Sequence, residues 1–166
     1  MIEKKNVSLD LWSVIAVCYP LGMMPKAPGT WGSILGLPLA VIGYYWGEAL
    51  VPDFPWLSVL GLLVLLTPLS YVAIKVTEMR WQTHDDSRIV IDEVVGQLLV
   101  FLFCPPTLFN LVVGFLLFRL FDIVKPGPVG WADRELPGAY GTLLDDVIAG
   151  LLGGGLLYLI NSLGYY

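Results

Sequence analysis

The chain has 166 residues, the length of a single domain (1–166), with 57% hydrophobic and 14% charged residues and a mean hydropathy of +0.76. Soluble domains carry about 25% charged residues, so an ordinary soluble globule is excluded and a membrane chain is expected. The net charge of −5, from 14 acidic and 9 basic side chains with no basic stripe, excludes a nucleic-acid partner.

Glu3, Lys4 and Lys5 are followed by Asn6, Ser8 and Asp10, with no small-residue cleavage site, so no signal peptide is expected. Residues 9–24 are apolar but hold Asp10 and Pro20, which predicts an interfacial or packed helix rather than a span. Residues 25–33, PKAPGTWGS, form a loop in which Thr30 either caps the next helix or helps its start bind an anion. Residues 30–51 carry only Glu48 and are long enough to cross a bilayer. A turn at 51–55 leads into 54–74, an uncharged run that tolerates Pro68 and is the clearest span.

From Lys75 to Glu93 the chain is polar and holds His84, Asp85, Asp86, Asp92 and Glu93. Residues 94–118 are uncharged again, but Cys104-Pro105-Pro106 divides them into two arms, each too short to cross the hydrocarbon alone. Lys75, Arg80 and Arg88 precede this segment, Arg119, Lys125 and Arg134 follow it, and Lys4, Lys5 and Lys26 lie before the first span. A re-entrant hairpin puts all of these on the cytoplasmic side and leaves 51–55 and 164–166 outside, as the positive-inside rule favours. A full crossing would instead separate the acidic segments. The last run, 147–166, is uncharged, and Gly150, Gly153, Gly154 and Gly155 permit close helix approach. With no strand alternation, the pattern predicts an all-α, membrane-embedded bundle of about six helical segments with a proline-broken re-entrant hairpin. Cys18 and Cys104 lack metal spacing and read as packed thiols.

Five carboxylates stand at ends of apolar segments: Asp92, Glu93, Asp122, Asp145 and Asp146. Neighbouring carboxylates repel and are costly to desolvate, and hard oxygen ligands of this kind suit Mg²⁺. Each pair also has a plainer reading as helix-end charge, with Asp145 and Asp146 opening the last helix. Arg119, Asp122 and Lys125 recur every three residues, either as an intrahelical ladder or as a cationic fork for a phosphate ester beside the metal ligands. His84, the only histidine, is either a general acid or base or a loop bystander. The tryptophans sit near segment ends, where rings anchor at the interface.

PGTWGS at 28–33, HDDSRIVIDEVVGQ at 84–97, FRLFDIVKPGPVGWAD at 118–133 and GAYGTLLDDVIAG at 138–150 together resemble the phosphatidylglycerophosphatase A family. The resemblance implies a helical bundle in a bacterial inner membrane, multi-pass, with its site on the cytoplasmic side. It implies Mg²⁺-dependent hydrolysis of phosphatidylglycerophosphate to phosphatidylglycerol and phosphate in phospholipid biosynthesis. Metal ligands are then expected at Asp92, Glu93, Asp122, Asp145 and Asp146, with Asp85 taking part in catalysis and Thr30, Arg119 and Lys125 holding the phosphate. The implied partners are the lipid substrate and the bilayer, and a homo-oligomer stays open. A CDP-alcohol phosphatidyltransferase would need a DG…AR…G…D…D run that is missing, and a type 2 phosphatidic acid phosphatase would need a pair of histidines. A non-enzymatic transporter or scaffold would explain the glycines but not three acidic clusters on one side.

Overall fold

Helix signals in the sequence fix where each segment starts. The structure, a computed structural model, describes residues 9–164; Lys4 and Lys5 at one end and Tyr165 and Tyr166 at the other, which entered the sidedness argument, lie outside them. Asp10 opens α1 (Leu11–Ala16) through a capping box, its Oδ1 accepting from Ser13 N at 2.9 Å. A 3₁₀ turn at Leu21–Met23 follows. Pro28, pre-set for a first helical position, starts α2 (Pro28–Leu50). The cap position is therefore Ala27, in left-handed backbone, and Thr30 lies inside the first turn rather than capping it. Next come α3 (Trp56–Trp81), α4 (Ile91–Val100), α5 (Leu108–Val124), α6 (Pro128–Glu135) and α7 (Ala139–Ser162).

All regular elements among the described residues are helical, as expected. The sequence pattern missed α6, a short polar helix started by Pro128, and it stopped α3 too early. That helix runs past Lys75 to Trp81 because Thr77, Glu78 and Trp81 stay buried against the bundle. A second correction concerns Asp145 and Asp146. Gly138, with φ +56°, begins α7 two turns before them, so they do not open the helix and its dipole does not account for them.

Close contacts give the direction of each helix. A Cβ on Gly96 would lie 2.7 Å from Asp146 O, and one on Gly154 3.1 Å from Val100 O, so α4 and α7 run side by side in the same direction. On α5, Phe118 faces Gly96 while Asn110 pairs with Asn161, so this helix runs the opposite way. Helices α4 and α5 thus form a hairpin that returns Asp122 to the end where Asp92 and Glu93 stand. Its tip, residues 101–107, is sealed by side-chain amides. Asn110 Nδ2 donates to Pro105 O at 2.8 Å and to Asn161 Oδ1 at 3.2 Å, and Asn161 Nδ2 donates back to Asn110 Oδ1 at 3.0 Å.

The rise from Asn110 to Asp122 is roughly 18 Å at 1.5 Å per residue, about half the length of the 24-residue α7 beside it. That is the depth expected of a short arm of about a dozen residues, too little to cross the hydrocarbon alone. Helix α2 descends beside α4, and α3 returns beside α2, with Gly43 against Leu62 and Gly47 against Pro55. The acidic segments therefore share one end of the bundle. By length and composition α3 and α7 could cross a bilayer; α2, which covers most of the span expected over 30–51, has the length at 23 residues but does not meet the same test.

Candidate metal and phosphate site

Asp92 and Glu93 occupy the first turn of α4, where backbone N–H groups lack helical partners and the dipole favours negative charge. Asp146 reaches them from the adjacent α7. One oxygen from each of the three lies within 4.8 Å of the others. Asp92 and Asp146 are only 5% and 4% exposed. Asp92 Oδ1, Glu93 Oε2 and Asp146 Oδ1 are buried and accept no hydrogen bond. Burying ions without a partner costs several kcal/mol each, so three clustered carboxylates, each with an orphaned oxygen, fit a hard divalent cation bound through oxygen. The donor set does not by itself choose among such cations.

Asp122 borders this cluster, within electrostatic reach of Glu93 and Asp146. Its Oδ2 accepts from Arg119 Nη1 at 2.6 Å, and the same nitrogen lies 3.3 Å from Ser33 Oγ on α2. The amino end of α2 is pressed onto the cluster, since a Cβ on Gly29 would stand 2.2 Å from Glu93 Oε1. Beneath it Cys18 packs against this end of α4, and burial, assisted by the charge of Glu93, pushes its thiol up to about 12.

Asp145 takes no part in the three-carboxylate cluster. One residue along a helix turns the side chain by about 100°, so neighbours on α7 face different partners. Asp145 Oδ2 accepts from Lys125 Nζ at 2.8 Å, and its Oδ1 accepts from Asp146 N at 3.0 Å. Lys125 ends α5 in left-handed backbone and also donates to Asp133 Oδ1 on α6. Burial alone would lower the pKa of this ammonium, but hydrogen bonds and charge from Asp133 and Asp145 outweigh it and raise the value. Arg119 and Lys125 are thus held by different partners, Arg119 by Asp122 and Ser33 and Lys125 by Asp133 and Asp145.

The remaining sequence candidates lie on the rim. Asp85 is exposed, and its backbone N donates to Glu78 Oε1 at 2.9 Å. His84 Nδ1 lies 3.2 Å from the same oxygen, which also accepts from Thr142 Oγ1 at 3.2 Å. Glu78 thus ties loop 82–90 to α7 one turn from Asp146. In that loop Arg88 grips Asp86 through two hydrogen bonds, of 2.8 and 2.7 Å, and stacks 4.6 Å over Trp81. The hydrogen bond from Arg88 holds the Asp86 carboxyl below its ordinary value. Half-buried Thr30 shares a turn with Gly29.

Sequence reasoning missed Glu78, Ser33 and Asp133. Ser33 and Asp133 lie inside the quoted motifs, which was their one signal, while Glu78 sat in a stretch read as a polar loop.

The bundle is all-helical among the described residues and gathers buried carboxylates, with an arginine and a lysine bordering them, at one end, an arrangement that could hold a metal ion. The family model for phosphatidylglycerophosphatase A matches residues 14–161, and the chain belongs to that family of phosphoric monoester hydrolases. It is 32% identical over 152 residues to phosphatidylglycerophosphatase A of Escherichia coli, covering 90% of this chain and 83% of that protein. It is 34% identical over 155 residues to the Haemophilus influenzae protein of the same name, covering 89% and 87%. A Bacteroides thetaiotaomicron protein provisionally named a phosphatidylinositol-3-phosphatase is 34% identical over 142 residues, covering 83% and 86%. No solved structure matches the chain.

Proposed function

We propose that the protein is a Mg²⁺-dependent phosphatase that converts phosphatidylglycerophosphate to phosphatidylglycerol and phosphate in phospholipid biosynthesis. The observation that carries the reading is the convergence of orphaned oxygens of Asp92, Glu93 and Asp146 beside Arg119, in a chain of this family. Asp92, Glu93 and Asp146 would hold the cation, with Asp122 at its edge. When bound, Mg²⁺ supplies Lewis-acid polarisation of the phosphoryl group and acidifies water.

The chain's own residues do the rest. Arg119, kept in place by Asp122 and Ser33, offers a planar donor set to the equatorial phosphoryl oxygens. Lys125, kept cationic by its two carboxylates, adds positive charge from the α6 side, and Asp145 acts as its positioning partner. The buried setting strengthens each of these interactions. Water attacks phosphorus in line as the bond to the glycerol oxygen breaks, and that oxygen takes up a proton. Thr30, one residue from the Gly29 that presses on Glu93, and Asp85, in the loop before α4, would meet a bound headgroup.

A membrane location follows from the surface. Only 28% of the apolar window of α3 is buried, whereas the core helix of a soluble protein is mostly covered. Lys26, Lys75, Arg80, Arg88, Arg119, Lys125 and Arg134 belong to the segments that flank the acidic end, which by the positive-inside rule supports reading that end as the cytoplasmic side of a bacterial inner membrane. Purified protein in detergent is expected to release phosphate from phosphatidylglycerophosphate with Mg²⁺ and to stop with EDTA. Preference for phosphatidylinositol 3-phosphate would reassign the headgroup, and a trapped phosphoenzyme would replace direct attack by water. Full activity in Asp146→Asn would sink the metal assignment.

A further inference from the structure

The faces of α2 and α5 enclose a groove of about 380 Å³ lined only by apolar side chains, among them Ile34 and Leu37 on α2 and Leu108, Val112, Phe115 and Leu116 on α5. Its position distinguishes it from other greasy surface on this chain. On α5, Leu108, Val112, Phe115 and Arg119 follow one another at helical spacing, so the apolar stripe runs into the arginine on the same face. On α2, Ser33 lies next to Ile34 and one turn before Leu37. The groove therefore ends where Arg119 Nη1 meets Ser33 Oγ at 3.3 Å, with Asp122 2.6 Å from the same nitrogen. From Leu108 to Arg119 the helix rises roughly 16 Å, close to the ~15 Å depth of one hydrocarbon leaflet.

A second apolar groove, of about 320 Å³ between α2 and α3, has the same chemistry but a different end. Its lining, which includes Ile42, Trp46, Leu50 and Leu65, leads toward the turn at 51–55, away from every carboxylate of the site.

We infer that the α2–α5 groove seats one acyl chain of the phosphomonoester lipid while its headgroup phosphate lies at Arg119, which makes the cleft between these helices the lateral entry from the bilayer. The inference rests on the proposed lipid phosphatase activity and deepens it. The second acyl chain stays in the membrane, and burial of methylenes in the groove contributes to binding but not to the chemical step. Diacyl substrate should then bind more tightly than its headgroup alone.

The test compares dioleoyl phosphatidylglycerophosphate in mixed micelles with its deacylated, water-soluble headgroup. Ile34→Trp and Val112→Trp fill the groove, and Ile42→Trp fills the α2–α3 groove as a control. Expected is a fall of about tenfold in kcat/KM on the diacyl lipid, the worth of roughly two buried methylenes, carried by KM. Turnover of the soluble headgroup should be unchanged, and Ile42→Trp should match wild type on both. Equal loss on both substrates, no loss on either, or the same loss in Ile42→Trp overturns the inference. Wild-type protein that hydrolyses neither substrate defeats the activity reading instead. The groove is then judged by photolabelling with a diacyl phosphomonoester lipid carrying a diazirine on its acyl chain. Labelling confined to 108–116 and reduced by Val112→Trp supports the seat, and labelling spread equally over the α2–α3 groove removes it.

Discussion

Replacing Gly150 with alanine should part the two helices that carry the proposed metal ligands Asp92, Glu93 and Asp146. A Cβ at Gly150 would stand 2.3 Å from Gly96 O and 3.0 Å from both Gly96 C and Leu99 Cβ. Two of these neighbours are backbone atoms, so no side-chain rotation relieves the clash. Restoring an ordinary contact of roughly 3.5 Å requires α4 and α7 to separate by about 1 Å. Gly150 lies one turn from Asp146 and Gly96 one turn from Asp92, so most of that displacement reaches the carboxylates. Mg²⁺ demands oxygen distances near 2.0–2.1 Å with a tolerance of about 0.2 Å, which cannot absorb it. A misplacement of this size costs roughly a hundredfold in rate. Overpacking destabilises by about 1–3 kcal/mol, partly offset by the ~1 kcal/mol that alanine gains over glycine in a helix. The assay is phosphate release from phosphatidylglycerophosphate against Mg²⁺ concentration, alongside a thermal melt. Gly61→Ala is the control, since a Cβ there meets nothing within 4 Å. A folded Gly150→Ala protein with wild-type rate and Mg²⁺ dependence would refute the ligand assignment.

Asp92→Asn or Asp146→Asn should cut Mg²⁺-dependent turnover more than about a hundredfold yet raise the Tm measured in EDTA, because each amide relieves repulsion in a buried carboxylate cluster. A Tm that falls in EDTA would mean that those carboxylates are already paired. Asn110→Leu or Asn161→Leu alone should destabilise by about 1–3 kcal/mol by orphaning the partner amide, while the double variant should recover much of it; additive losses in the melts would contradict the pairing. Asp86 has a folded-state pKa below its ordinary 3.8, so its bond to Arg88 stabilises the fold above that value and is lost as pH falls through the lower folded-state value. The Tm gap between wild type and Asp86→Asn should therefore be constant near neutrality and close below about pH 4; a gap that persists at pH 2 would count against it.

The hairpin was legible because it followed from a conservation of sides: basic residues flank 94–118, and only a return of the chain keeps them together. The gathering of Asp92, Glu93 and Asp146 was legible from the same argument. What the sequence hid was rotation. Asp145 and Asp146 are adjacent letters, yet a helix must aim them about 100° apart, and only packing decides which one faces α4. The same blindness left the partners of Arg119 and Lys125 open, because their spacing of six does not reveal the left-handed residue that ends α5 at Lys125. Glu78 stayed invisible because α3 keeps its helical phase after its apolar run stops, held by buried Thr77 and Trp81.

The amide clasp at the hairpin tip also sets an order of assembly. Asn161 lies 51 positions after Asn110 in the chain, so the bond it gives to Asn110 cannot form before α7 has been made. Until α7 arrives, the hairpin holds Asp92, Glu93 and Asp122 without Asp146, and its tip lacks the partner that helps seal its irregular backbone. The candidate cation cluster and the tip of the hairpin therefore both depend on α7, which supplies Asp146 to one and Asn161 to the other.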